Sequence, residues 1–347
     1  MPWLDQNRGA SLELFGSFMQ QHAIRLAGIT ASLLLVFAAS AQDGIDAPIP
    51  GQPGTLIQTL PMSAAAKSTL EQALGTRHYT AAEELLAEES TKNPKSQPLL
   101  LALANVLFLD GKQLNSAVVL KKAELLGPMD ERNRLLLALC YVALGKKTPA
   151  VREFEALSQS YPANATYPYW LSRLAYRQQD LQRALMYAEA AVQLDPAYVK
   201  GYDQLGLCYA GLNQPEEAVR AFREAIRLNQ RQSRQSPWPA MNLGTLLLRM
   251  ERLDEAESSL RDSLSIDPRF PTAHLRLGQV LEKKDRLDEA MAEWREAARL
   301  DPTYPEPHYA LARVYRGRQE QDAAERELKL FQELRNADKT KGITRPD

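Results

Sequence analysis

The sequence has few of the residues that build metal sites and nucleophilic centres. It contains 2 cysteines and 4 histidines among 347 residues, with no HExxH, paired-cysteine, P-loop or glycine-rich dinucleotide pattern. No serine lies in a nucleophile-elbow sequence. His274 and His308 are 34 residues apart and are expected to have packing roles. We therefore predict a non-catalytic protein without a metal ion or cofactor.

An excess of charge of either sign is also lacking. The chain has 42 Lys and Arg against 43 Asp and Glu, for a formal net charge of −1. Nucleic-acid-binding proteins usually have a basic stripe and a high isoelectric point. The sequence therefore gives no reason to expect a nucleic acid partner.

What the sequence has instead is a repeat. A leucine followed by a small residue occurs seven times, with successive leucines 34, 34, 34, 38, 34 and 34 residues apart. The pairs are Leu103-Ala104, Leu137-Ala138, Leu171-Ser172, Leu205-Gly206, Leu243-Gly244, Leu277-Gly278 and Leu311-Ala312. A period of this length indicates a solenoid of stacked units rather than one globular core.

Each period has the pattern of two helices. Small and large residues recur at helical steps before a closing proline, as at Ala256, Leu260 and Pro268. Gly111, Gly145 and Asn213 fall between the two helices, where a residue that tolerates positive φ ends the first helix. The prolines end the second helix because they cannot continue its hydrogen-bond ladder. We predict an antiparallel helix pair in each period.

Together these residues resemble the tetratricopeptide repeat, and the copy with Tyr202, Leu205, Gly206, Tyr209, Ala218, Phe222 and Ala225 is similar to it almost throughout. The resemblance covers about residues 63–336 and implies an all-α, right-handed superhelical solenoid of seven to eight antiparallel helix pairs. The units are predicted at about 63–94, 97–128, 131–162, 165–196, 199–230, 237–268, 271–302 and 305–336.

The register of the repeat assigns structural roles to glycines and cysteines. Gly206, Gly244 and Gly278 fall inside the first helices, where glycine costs about 1 kcal/mol relative to alanine. A close approach of the two helices should offset that cost. Cys140 and Cys208 are 68 residues apart, two periods, so we predict two free and buried thiols.

The N-terminus has the pattern of a secretory signal. Arg25 precedes the apolar run at residues 33–37, and residues 39–41 fit the small-x-small cleavage pattern. We predict a signal peptide at residues 1–41, with Met19 as an alternative start, and hence a periplasmic or extracellular protein. The alternative is an uncleaved membrane anchor at residues 26–42, although its 17 residues are slightly short of the about 20 that a membrane span needs.

Two further segments flank the array. Residues 42–62 are rich in proline and glycine and are predicted to be a linker. Residues 337–347 are polar and are predicted to be a disordered tail.

The resemblance implies a binding groove, because in tetratricopeptide arrays the first helices line a concave surface that binds a peptide or helix. It places there Leu101, Asn105, Phe108, Leu135, Leu139, Tyr169, Arg173, Tyr176, Asp203, Met241, Arg249, Gln279, Tyr309 and Arg313. The N-terminal half of this set is apolar and aromatic, and the C-terminal half is polar. Leu101, Leu135 and Tyr169 occupy the lysine-type slots of the clamp for chaperone tails, so such tails are not expected to bind.

The single 38-residue step comes from four extra residues near positions 230–239. They form either a longer loop between units or a kink that presents Trp238 to a partner.

The sequence thus predicts an exported scaffold that binds a protein or peptide partner. Two alternatives stay open. One is a membrane-anchored assembly or regulatory subunit of an envelope complex. The other is a carbohydrate-binding accessory protein that uses Tyr169, Trp170 and Tyr176.

Overall fold

The computed structural model describes residues 57–341. The predicted signal peptide, its cleavage site, the alternative anchor and residues 342–347 lie outside the described residues. Within residues 57–341 the fold is all-α, with no strand and with consecutive helices packed in antiparallel pairs. The chain divides into two compact bodies, an N-terminal body that ends at Leu157 and a C-terminal body that begins at Ser158.

The helices follow the predicted repeats, two to each. Those that begin in the N-terminal body are α1 Ala64–Gly75, α2 Tyr79–Lys92, α3 Gln97–Leu109, α4 Gln113–Glu124, α5 Glu131–Ala143 and α6 Lys147–Ser160. Those of the C-terminal body are α7 Thr166–Arg177, α8 Leu181–Leu194, α9 Val199–Gly211, α10 Pro215–Asn229, α11 Trp238–Arg249, α12 Leu253–Ile266, α13 Pro271–Lys283, α14 Leu287–Leu300, α15 Pro305–Gly317 and α16 Gln321–Lys341.

The same turn joins the two helices of every repeat. One residue in each turn has a positive φ, and these residues are Arg77, Gly111, Gly145, Gln179, Asn213, Glu251, Asp285 and Gln319. The following N–H donates back into the first helix, as from Arg252 to the carbonyl of Leu247 at 3.0 Å. This bond is typical of a Schellman motif, which satisfies carbonyls that the helix end leaves unpaired.

The second helices end in a turn that an aspartate holds. Asp195, Asp267 and Asp301 follow α8, α12 and α14, and each side chain accepts a hydrogen bond at 2.9 Å from the N–H two residues later. The following proline cannot extend the helix, so the chain turns there into the next repeat.

The two helices of a pair approach each other closely at the small residue that follows the repeated leucine. A Cβ added to Gly206, Gly244 or Gly278 would lie 2.5, 2.6 or 2.3 Å from the side chain of the second helix. Those side chains are Phe222, Leu260 and Trp294, all buried. In repeat 4 the small residue is Ser172, whose hydroxyl donates to the carbonyl of Ala184 at 2.7 Å.

Both predicted boundaries of the array are corrected by the structure. Residues 57–62 are not a linker, because Ile57 and Leu60 are buried with Leu70 and Ala73 in the core of the N-terminal body. At the other end, α16 continues beyond residue 336 to Lys341. Residues 337–341 contain neither proline nor glycine, so nothing in the sequence ends the helix at 336.

The extra residues in the 38-residue step form a loop and do not separate the helices on either side. Helices α9 and α11 contact each other across the insertion, as α11 and α13 do without one. The side chain of Asn229 closes the loop through two hydrogen bonds with the backbone of Ser236, at 2.8 and 2.9 Å. Trp238 is half-buried and packs edge-on against Phe270, with ring centroids 4.8 Å apart.

Candidate functional site

The first-helix face of the N-terminal body is mostly closed by packing. Of the residues predicted to line a groove there, Phe108, Leu135 and Leu139 are buried, and Leu139 has only 2% of its surface exposed. Asn105 is half-buried and donates hydrogen bonds to the carbonyl of Leu101 at 2.7 Å and to Asn133 at 3.1 Å. The apolar side chains at these positions are packed inside the N-terminal body, and they offer little surface to a ligand.

The first-helix face of the C-terminal body holds a polar cluster instead. We call Tyr169, Trp170, Arg173, Asp203 and Asn242 the Arg173–Asp203 cluster. Its residues come from three successive first helices, α7, α9 and α11. The guanidinium of Arg173 lies 4.7 Å from the ring centroid of Trp170 and 5.7 Å from that of Tyr169. These distances are typical of cation–π contacts.

Asp203 lies half-buried beside this arginine. Its carboxylate accepts a hydrogen bond at 2.9 Å from Nδ2 of Asn242. Burial raises the pKa of Asp203 to about 6, and the bond from Asn242 and the positive charge of Arg173 only partly oppose that rise. The cluster therefore presents a cation and a carboxylate on one face, and ionisation of the carboxylate is less favourable than in water.

Two aromatic residues of the cluster are packed inward. Tyr169 and Trp170 are buried and meet edge-on, with ring centroids 5.7 Å apart, and Tyr169 also packs against Tyr198 at 5.5 Å. Tyr176 is half-buried, and burial raises its pKa while the charge of Arg249 opposes the rise. These rings do not form the exposed aromatic platform that the carbohydrate-binding alternative requires.

The other predicted groove residues of this body have varied environments. Met241 is buried and Gln279 is half-buried, accepting a hydrogen bond from Arg276 at 3.2 Å. Tyr309 is exposed on one side and packs on Phe331 of α16, with ring centroids 5.2 Å apart. Arg313 is exposed and pairs with Glu282, and Arg249 is exposed.

The sequence pattern does not point to Asn242. It lies one position after Met241, outside the slots that the family resemblance assigns to the groove. Its role depends on a contact between residues 39 positions apart, which only the packing of α9 against α11 creates.

His274 and His308, outside the cluster, have structural partners. Nδ1 of His274 lies 2.6 Å from Glu293, and Nδ1 of His308 lies 2.7 Å from Glu327. The free thiols of Cys140 and Cys208 are buried, which confirms the prediction from their spacing, and burial raises the pKa of Cys140 to about 11. Both are therefore poor nucleophiles. No group of three or more His, Cys, Asp or Glu side chains suited to a metal ion occurs in the described part of the chain.

The helices within residues 57–341 are 12–21 residues long. None of the helices in that range combines the length and the apolar composition that crossing a bilayer requires.

Comparison with known proteins agrees with this architecture. A tetratricopeptide repeat family model matches residues 135–199 and 241–305, and a second one matches residues 199–231. A solved tetratricopeptide repeat protein from Parabacteroides merdae superposes with a TM-score of 0.59, covering 77% of this chain and 98% of that one at 15% identity. The fold is therefore an all-α array of tetratricopeptide repeats, and the chain is a tetratricopeptide repeat protein.

Curated relatives match only in short segments. TPR and ankyrin repeat-containing protein 1 of Homo sapiens is 46% identical over 54 residues, 16% of this chain. Small glutamine-rich tetratricopeptide repeat-containing protein 2 of Saccharomyces cerevisiae is 30% identical over 91 residues, 24% of this chain. The matches span 2% and 26% of those two proteins. The likeness to these two proteins is therefore one of the repeats.

Proposed function

We propose that this chain is a non-catalytic interaction scaffold that works outside the cytoplasm and binds a peptide or helix of a partner protein on its first-helix face. Tetratricopeptide proteins generally mediate protein–protein interactions, and the apolar face of the N-terminal body is largely closed. The Arg173–Asp203 cluster is therefore the part of this face to which we assign ligand binding.

The observation that carries this assignment is the half-buried carboxylate of Asp203. A carboxylate whose pKa is raised to about 6 is costly to keep ionised in the folded protein. Arg173 and Asn242 offset only part of that cost. A peptide that donates N–H groups to Asp203, or pairs a cationic side chain with it, would stabilise the ionised carboxylate. That gain favours binding at this position.

We expect Asp203→Asn to weaken binding without weakening the fold. The folded-state pKa is above the ordinary value of about 3.9, so the native aspartate lowers stability progressively as pH rises between about 4 and 6. The variant should therefore melt at an equal or higher temperature than wild type near neutral pH. The two melting temperatures should converge below about pH 4.

The binding measurement uses peptides selected from a displayed random library against the wild-type chain. We expect their affinity, measured by calorimetry, to fall about tenfold with Asp203→Asn. The same change at Asp262, which is exposed on the second helix α12, is the matched control and should leave affinity unchanged. Failure to select any peptide, or equal binding by Asp203→Asn, would contradict the assignment.

The export part of the proposal is supported by the signal-like sequence alone and is tested by the mature N-terminus. We expect intact mass and N-terminal sequencing of the native protein to show Gln42 as the first residue. Retention of Arg25 would instead favour the membrane-anchored alternative, in which the same scaffold is a subunit of an envelope complex.

A further inference from the structure

The outer side of helix α4 in the N-terminal body carries an unusual concentration of exposed apolar residues. Ten large apolar side chains are exposed in the described part of the chain, and five of them lie between residues 109 and 126. Leu114, Val118 and Leu125 expose 60%, 58% and 86% of their surfaces. Their spacing of four and seven residues puts them on one side of the helix. We call these three residues the α4 stripe.

The other seven repeats provide an internal comparison, because every slot equivalent to the α4 stripe is exposed in them too. The equivalents of Leu114 are Thr80, Thr148, Gln182, Glu216, Asp254, Asp288 and Asp322. Those of Val118 are Glu84, Arg152, Met186, Arg220, Ser258, Ala292 and Arg326, and those of Leu125 are Thr91, Gln159, Gln193, Arg227, Ser265, Arg299 and Glu333. Met186 and Ala292 alone are apolar, so packing of the repeat does not require apolar residues in these slots.

The stripe is bordered by positive charge. At about 100° per residue, Lys121 falls on one side of the stripe and Lys122 on the other. Both lysines are exposed, and Glu124, the single acidic residue of α4, is half-buried and pairs with Lys121 and Arg134. We propose that the outer face of α4 is a docking surface for an amphipathic helix of a partner protein, whose apolar stripe is bordered by acidic residues.

Charge distinguishes this occupant from a second copy of the chain. Antiparallel pairing of two α4 helices would place Leu114 opposite Leu125 and Val118 opposite Lys121. The lysines at 121 and 122 of both copies would then meet around the twofold axis, and like charges brought together in an interface are unfavourable. A helix with acidic borders removes that repulsion.

Charge also favours a helix with acidic borders over an anionic bilayer as the occupant of the α4 stripe. Lys112 at the start of α4 pairs with Glu83 of α2 at 2.5 Å, so α2 lies beside α4. The outward slots of α2 hold Glu84 and Glu88, both exposed. A flat anionic surface would meet these carboxylates together with the stripe, whereas a single helix about 10 Å wide can lie along α4 alone.

Residues 26–56 of this chain are a poor match for the stripe. Residues 42–56 include Pro48, Pro50 and Pro53, and proline is strongly unfavourable inside a helix. Residues 26–42 are apolar but have no acidic residue to place against the lysines. Neither of these two segments matches the stripe, and the lysine borders favour acidic residues opposite them, so we assign the surface to a helix of a separate protein.

The test compares two synthetic helical peptides of about 20 residues with the same leucine stripe, one bordered by glutamate and one by lysine. We expect the glutamate peptide to bind the wild-type chain about tenfold more tightly than the lysine peptide. Leu114→Thr with Val118→Arg, which installs the residues of repeat 3, should abolish binding without lowering the melting temperature. Lys121→Glu with Lys122→Glu keeps the stripe and should reverse the preference between the peptides.

Three other outcomes would overturn the proposal. Equal or absent binding of the two peptides would show that the surface has no affinity for an acidic helix. Concentration-dependent dimerisation in sedimentation, lost in the Leu114→Thr, Val118→Arg variant, would assign the stripe to a second copy. Co-sedimentation with phosphatidylglycerol vesicles, lost in the same variant, would assign it to a membrane surface. None of these three results depends on the Arg173–Asp203 cluster, so this test and that of the proposed function fail independently.

Discussion

Replacing Trp294 with alanine is expected to lower the free energy of unfolding by about 3–5 kcal/mol. Trp294 on α14 is fully buried and is part of the largest apolar cluster of the C-terminal body. Its indole N–H donates to the carbonyl of Leu275 at 3.2 Å, so truncation leaves a cavity and removes this hydrogen bond.

Urea unfolding measured by circular dichroism gives the size of this loss, and hydrogen exchange gives its place. Because each repeat contacts only its neighbours, we expect the fastest exchange in α13 and α14 and in the helices that flank them. Met186→Ala is the control, since Met186 is exposed on α8 and its removal should change stability by no more than about 0.5 kcal/mol. A loss below about 1 kcal/mol for Trp294→Ala would mean that the tryptophan is not a packing centre of its repeat.

The helix pairs could be predicted because the same pattern of packing residues recurs in every repeat. The turn residues were less predictable, because their residue types vary. Gly111, Gly145 and Asn213 are predictable turn residues because glycine and asparagine tolerate positive φ. Glu251 and Asp285 adopt the same conformation, although their residue types do not indicate it. The helix-ending hydrogen bonds impose the conformation on whichever residue stands there, so its identity carries little information.

The binding face was less predictable, for a related reason. The same slots that can line a groove also fill the contact between neighbouring first helices, and an apolar residue suits both roles. Leu139 is therefore buried, and Leu139→Asp would report on folding and not on binding. Asp203 could be singled out from its slot, but its raised pKa and its bond to Asn242 arise only from the packing of α9 against α11.

The outer face was overlooked for a different reason. The repeat register shows what the copies share, whereas the α4 stripe is a place where one copy departs from the others. Comparing Leu114 and Val118 with their equivalents needs no structure, but only the structure shows that these slots are solvent-exposed in every repeat.

At Gly278, replacement by alanine adds a single methyl group that has two opposing effects on the free energy of unfolding. Alanine is favoured over glycine inside a helix by about 1 kcal/mol. The added Cβ would, however, lie 2.3 Å from Nε1 of Trp294, and overpacking in a core typically costs about 1–3 kcal/mol. The indole is fully buried and fixed by its bond to Leu275, so it cannot move aside cheaply. We therefore expect Gly278→Ala to be destabilising by about 1–2 kcal/mol in spite of the better helix former.

Gly317→Ala is the matched control, because it is also at a helical glycine of the C-terminal body and its Cβ would meet nothing within 4 Å. That variant should be neutral or stabilised by up to about 1 kcal/mol, so the two substitutions should shift the urea midpoint in opposite directions. In a Trp294→Ala background the clash is absent, and Gly278→Ala should then cost less or become stabilising, which a double-mutant cycle measures as coupling. Equal effects of Gly278→Ala in the two backgrounds would show that the contact with Trp294 is not the reason for glycine at this position.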